Sequence, residues 1–220
     1  MSKHCFLLIL YLSLWSGSFA SADDRPLVFF EPIQPTRPIQ VIAHRGASVQ
    51  APENTRPALQ RAIEDGFEWA EIDLQLTHDG KHLLYHDGRL DSKTNGTGRV
   101  ADYSLAELKR LDAGSKFAAR YAGERLLTLQ EAFEIARGKI NLYLDCKAIN
   151  PELLAREILD AGMERQVVVF SNLETLARIR AASKGRIPVM PKWHPASGTG
   201  DWLTRLQPAA VEIDANEVTT

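Results

Sequence analysis

From Ile39 onward the chain alternates short β-rich runs with helix-patterned segments joined by short links. This alternation constrains the fold more than any other feature. Strands interleaved with helices build a sheet of parallel neighbours, because each helix carries the chain back to the same end. Strands are expected at 39–43, 69–76, 82–85, 140–145, 167–170, 187–190 and 210–214. The first helix, from Thr55 to about Asp65, carries Pro57 in its first turn, where the missing N–H does no harm. Ser104 caps a short helix whose Leu105, Leu108 and Leu111 fall at helical spacing. Thr128 and Glu131 form a capping box ahead of a helix to Ala136. Gly162 stops a helix over 151–161, and a further helix covers 173–182. Thr77-His78-Asp79-Gly80 reads as a turn, and 88–98 as a loop rich in Gly, Asp, Asn and Thr.

Two parallel architectures fit this order: an open doubly wound sheet and a closed (β/α)8 TIM barrel. The polar residues discriminate. His44, Glu71, Asp73, His86 and Asp145 all fall at or near the C-terminal ends of the first four expected strands. A barrel gathers those ends around one axis, whereas an open sheet spreads them along an edge. No Gly-x-Gly-x-x-Gly follows the first strand, which lowers the dinucleotide-binding reading. An eighth strand is not found after 210–214, so the expected fold is an α/β (β/α)8 TIM barrel truncated after its seventh strand.

The N-terminus stands apart. Lys3 and His4 precede an apolar run over 6–15, and Ala20-Ser21-Ala22 offers small residues for cleavage. Residues 1–22 read as a secretory signal peptide, and the run is shorter than the ~20 residues of a bilayer span. The mature chain is then expected to be exported, periplasmic or secreted, without a transmembrane segment. Residues 23–38, with Pro26, Pro32, Pro35 and Pro38, read as an extended arm, and 39–220 as one catalytic domain. The formal net charge of −2 and the lack of a basic stripe argue against a nucleic-acid partner. Cys5 lies in the signal, which leaves Cys146 alone and no internal disulfide to form.

Glu71 and Asp73 are two apart on a strand, so both point to one face while Ala70, Ile72 and Leu74 take the other. Two acids aimed into a barrel repel unless a cation neutralises them, and carboxylate oxygens select a hard ion, Ca²⁺ or Mg²⁺. Arg45 can grip a phosphate with two parallel hydrogen bonds, and Gly46 permits a sharp turn. His44 and His86 can exchange protons near neutral pH, one as base and one as acid. Asp87 could orient His86, although neighbours on a strand point apart. Glu53 is expected to order the loop over His44. His78 and His82, in and just after a turn, are expected to face solvent. Trp193, His194 and Asp214 are further candidates to line or reach the pocket.

His44-Arg45-Gly46, Glu53-Asn54-Thr55, Glu71-Ile72-Asp73, His86-Asp87 and Thr94-Asn95-Gly96-Thr97-Gly98 together resemble the glycerophosphodiester phosphodiesterase family. The resemblance implies that His44 and His86 are the catalytic pair, that Arg45 holds phosphate and that Glu71 and Asp73 are metal ligands. The family's third ligand is usually a Glu two residues before a Lys. Here Asp145-Cys146-Lys147 fills that place, which makes Asp145 the shorter third ligand and lets Lys147 reach the substrate. The implied activity is metal-dependent hydrolysis of a small glycerophosphodiester to glycerol 3-phosphate and an alcohol. The alternatives are phospholipase D-like action on lysophospholipids and phosphodiester binding without turnover. The sequence leaves the oligomeric state open.

Overall fold

The computed structural model describes residues 40–194 and 200–214; the expected signal peptide and the arm up to residue 38 lie outside the described residues. Six strands form one sheet. The strands β1 (Ile42–Ala43), β2 (Trp69–Leu76), β4 (Asn141–Cys146), β5 (Val167–Phe170) and β6 (Val189–Met190) lie side by side in that order, all parallel. The third strand in the chain, β3 (His82–Leu84), pairs antiparallel with β2 and lies off this path. This corrects the expectation of a wholly parallel sheet. The link from Leu76 to His82 is too short for a parallel crossover, which needs a dozen or more residues. A single parallel bridge, Lys192 to Glu212, continues the sheet beyond β6, at the place of the expected seventh strand. The result is the (β/α)8-barrel arrangement with its sheet open among the described residues.

Helices α1 (Arg56–Glu64), α3 (Leu129–Ala136), α4 (Pro151–Asp160) and α5 (Leu173–Ala182) cover one face of the parallel strands; α2 (Leu105–Leu108) and α6 (Trp202–Leu206) are short. No sequence signal foretold α6. The capping boxes at Ser104–Glu107 and Thr128–Glu131 are both closed reciprocally. Thr55 occupies the N-cap of α1, but its hydroxyl donates to the Pro52 carbonyl at 2.5 Å and caps nothing. No helix among the described residues is long and apolar enough to cross a membrane.

Strand alternation divides the core. Ala70, Ile72, Leu74, Leu142, Leu144, Val167 and Val169 pack outward against the helices. Trp69, Tyr143, Val168 and Met190 point inward and stack as an apolar layer. Glu71 faces inward level with Tyr143, and above that layer, toward the C-terminal strand ends, the inward positions become Asp73 and Asp145, which the register sets side by side. A satellite core of Leu83, Tyr85, Leu90, Val100, Leu108 and Leu126 supports the long excursion between β3 and α3. The barrel floor is thus apolar and its mouth acidic.

Candidate active site

β2 supplies two acids and β4 one. Glu71, Asp73 and Asp145 each offer an oxygen, and these lie within 4.8 Å of one another. Glu71 is 6 % and Asp73 1 % exposed. Burial and the neighbouring Asp73 charge push the Glu71 carboxyl well above the usual carboxylate range, although the Arg45 N–H opposes this. Burial also raises Asp145, against the pull of Lys147. Asp73 Oδ1 is buried without a well-directed hydrogen bond; the Lys147 ammonium stands 3.2 Å from it and 2.6 Å from Asp145 Oδ2. Burial works to lower the Lys147 pKa, but its contacts with Asp145 and Asp73 outweigh that and raise it. An all-oxygen cluster of three close acids, one with an unused buried lone pair, fits a hard divalent ion.

The turn after β1 is built to meet this cluster. Arg45 and Gly46 both take positive φ, 56° and 73°. A Cβ on Gly46 would fall 2.8 Å from the Ala58 carbonyl carbon, so the turn packs directly on α1. The Arg45 N–H donates to Glu71 Oε2 at 2.7 Å. Its guanidinium lies between Glu53, 3.0 Å away, and Asp73, 3.4 Å away. Glu53 also pairs with Lys93 at 3.1 Å; it orders the loop, as expected, and does so through Arg45. His44 sets Nε2 4.0 Å from Glu71 Oε2. Burial, then the Arg45 charge, lower the His44 pKa, with Asp73 and Glu53 acting in the opposite sense.

His86 lies two residues beyond β3, where the chain has left the strand. The two-sided alternation no longer applies there, and Asp87 Oδ1 reaches His86 Nδ1 at 2.7 Å. Ser92 donates to the other Asp87 oxygen at 2.5 Å, and the hydrogen bonds from Ser92 and His86 lower the Asp87 pKa. Gln75 Nε2 donates to the His86 carbonyl at 3.0 Å. A carboxylate at Nδ1 favours the Nδ1–H tautomer of the ring and leaves the Nε2 lone pair facing away from Asp87. Beside Glu53 and Ser92 opens a cavity of about 200 Å³, also lined by Tyr85, Lys93, Lys116 and Phe117.

Asn54 was not assigned a role from the sequence. It is 1 % exposed with φ 57°. Its Nδ2 donates to Asp73 Oδ2 at 2.7 Å, and its Oδ1 accepts from the Asp73 N–H at 3.1 Å. The amide thus clamps one acid from both sides. The signal was its place between Glu53 and Thr55, in a residue type that tolerates positive φ.

Other candidates move away from the cluster. His78 is exposed, as expected. His82 is buried, contrary to expectation, because β3 turns its ring under α4, where Nδ1 meets Glu157 Oε2 at 2.5 Å. Asp214 pairs with Lys192 at 2.8 Å, while Glu212 points inward and accepts from the Tyr143 hydroxyl. Trp193 is tied by its backbone N–H to the Glu212 carbonyl at 2.8 Å, and His194 is exposed. Glu131 serves the α3 capping box and accepts from Lys109.

Residues 44–197 match the model of the Glycerophosphoryl diester phosphodiesterase family. A glycerophosphodiester phosphodiesterase of Caldanaerobacter subterraneus subsp. tengcongensis is 44 % identical over 128 residues, 58 % of this chain and 50 % of the relative. One from Bacillus subtilis is 36 % identical over 173 residues, 75 % of this chain and 59 % of that one. The chain therefore spans about half the length of these curated relatives. Among solved structures, an Oleispira antarctica phosphodiesterase in complex with the product sn-glycerol-3-phosphate superposes with a TM-score of 0.66. It is 34 % identical, over 79 % of this chain and 74 % of that one. A glycerophosphodiester phosphodiesterase from Agrobacterium tumefaciens gives a TM-score of 0.66 at 28 % identity, over 79 % of this chain and 84 % of its own.

Proposed function

Because this chain belongs to the glycerophosphoryl diester phosphodiesterase family, we propose that it hydrolyses glycerophosphodiesters to glycerol 3-phosphate and an alcohol, with a divalent ion. The observation that carries the reading is the convergence of Glu71, Asp73 and Asp145 within 4.8 Å at the mouth of the sheet, flanked by His44, His86 and two basic side chains. A phosphodiester anion needs cationic partners, a base and an acid, and all are within this group. The product named for the Oleispira antarctica neighbour agrees with that chemistry.

Glu71, Asp73 and Asp145 would hold the ion, Ca²⁺ or Mg²⁺, and when bound it would act as a Lewis acid on the phosphoryl oxygens. Arg45 and Lys147 would bind the remaining phosphate charge, and with an ion held by Glu71, Asp73 and Asp145 those carboxylates would no longer need the two basic side chains as partners. One histidine takes the proton of the glycerol 2-hydroxyl, whose oxygen bonds to phosphorus. The bond from phosphorus to the alcohol oxygen breaks, and the other histidine gives that oxygen its proton. Water then opens the cyclic phosphate by the reverse proton traffic. Asp87 keeps His86 in the tautomer this exchange requires.

The test is choline release from glycerophosphocholine, with and without EDTA. Turnover that stops in EDTA and returns with Ca²⁺ or Mg²⁺ is the expected result. Asp73→Asn should abolish it while leaving the far-ultraviolet circular dichroism unchanged. Full activity of that variant in EDTA would remove the metal from the reading.

A further inference from the structure

The buried His82 lies outside the acidic cluster, yet it joins two of the segments that build the site. It sits in β3, 2 % exposed, four residues before His86. Its Nδ1 meets Glu157 Oε2 of α4 at 2.5 Å. Its Nε2 lies 3.2 Å from the Asn150 backbone nitrogen. A backbone N–H can only donate, so Nε2 accepts there and Nδ1 carries the proton given to Glu157. Asn150 ends the turn that leaves β4, and its side chain caps α4 by accepting from the Leu153 N–H at 2.9 Å. The same turn begins at Lys147, whose N–H, with that of Ala148, donates to the Leu74 carbonyl at 3.1 Å. The turn is therefore pinned at one end by β2 and at the other by the His82 ring.

We propose that His82 is a positioning residue for the hydrolysis, holding the turn after β4 so that the Lys147 backbone keeps its ammonium at the acidic mouth, within reach of the phosphate. The inference rests on the activity proposed above. Lys147 is exposed and long, and a flexible side chain keeps a fixed place only if its backbone does. The ring supplies what an apolar residue at 82 would lack, an acceptor for the Asn150 N–H. Losing it leaves that donor without its partner, and the turn shifts.

The experiment uses the full chain with His82→Leu, His82→Asn, His82→Gln, Lys147→Ala and the double variant His82→Leu/Lys147→Ala. For each, kcat and KM on glycerophosphocholine are measured beside the thermal midpoint and amide exchange at Asn150. Gln places its carbonyl near the Nε2 position, whereas Asn reaches only the Nδ1 position. His82→Gln should stay within about twofold of wild-type kcat, while the Leu and Asn variants should lose about tenfold or more, a ~1 Å misplacement being able to cost ~10²-fold. Asn150 should exchange faster in the Leu and Asn variants and remain protected in the Gln variant. The double variant should be no slower than Lys147→Ala, since both changes remove one contribution. Wild-type kcat in His82→Leu overturns the proposal, and so does a fully multiplicative double variant. Activity kept by Asn and lost by Gln would assign the ring's role to Glu157 and overturn it as well. No turnover by the wild-type chain would overturn the activity reading and this inference with it; an active wild type with insensitive His82 variants overturns the positioning role alone.

Discussion

At the scale of single residues, the site is a set of charges held in place by neutral groups and by one another. Asn54 shows how. Its amide makes two hydrogen bonds to Asp73, one to the carboxylate and one from the backbone, and it does so from a left-handed conformation, φ 57°. Two effects can be separated there. Asn54→Ala loses the clamp and strains the backbone, whereas Asn54→Gly loses the clamp alone. A hydrogen bond to a charged group contributes about 1.5–3 kcal/mol, so urea unfolding should find Asn54→Ala destabilised by at least that much and Asn54→Gly by less. Both should lower kcat alike, because Asp73 is released in each. His44→Ala and His86→Ala are each expected to cost ~10²–10⁴-fold in kcat, the usual contribution of a proton donor or acceptor. Steady-state assays at fixed metal concentration test both. A histidine variant with wild-type kcat would show that ring to be structural.

At the scale of elements, caps and turns decide where each side chain points. Glu131 closes the α3 capping box through the Thr128 N–H and also accepts from Lys109 at 2.7–2.8 Å. Burial works to raise its pKa, but Lys109 and Thr128 outweigh this and lower it. A carboxyl depressed in the folded state adds stability above its unfolded pKa and loses it as pH falls through the folded value. Thr128→Ala should cost about 0.5–2 kcal/mol. The cost of Glu131→Gln, measured by urea unfolding, should shrink as pH falls below the ordinary glutamate range of ~4.3. The Thr128–Glu131 box was legible because its signal is four residues long. The parallel strands were legible too, from alternation in 69–76 and from the apolar run at 167–170. The direction of β3 is set by the five-residue link from Leu76 to His82, which admits only a hairpin; the strand pattern by itself does not carry it. The burial of His82 could not be read at all: its partner Glu157 is 75 positions away, and nothing local encodes that contact. The His86–Asp87 pair was underrated because strand alternation was extended past Leu84, where the strand ends.

At the scale of the whole molecule, the acidic mouth joins β2, β4 and the turn after β1, so its repulsion is felt by the sheet that holds the fold together. Without an ion, Glu71 and Asp145 have raised pKa values, from burial first and from neighbouring acids after it. The folded state then holds protons that the unfolded chain has given up. Stability must therefore fall as pH rises from the ordinary carboxylate range, ~4, through the raised values. A divalent ion held by the three carboxylates, as proposed above, would replace those protons and cancel the slope. Binding to the folded state alone adds about 2.7 kcal/mol when the ion is at 100 times its Kd, which should appear as a concentration-dependent rise in thermal midpoint. The expected pattern is a midpoint that declines as pH rises above the ordinary carboxylate range in EDTA and levels off in Ca²⁺ or Mg²⁺. Asp73→Asn removes one of the charges and one of the proposed ligands, so it should be less sensitive to pH in EDTA and should gain little from the ion. Asp145→Glu lengthens the third ligand and should tighten ion binding by calorimetry, unless the pocket has set around the shorter acid. Weaker binding in that variant, with the thermal response of the wild type intact, would mean that the pocket is already matched to the shorter acid and that a glutamate overpacks it.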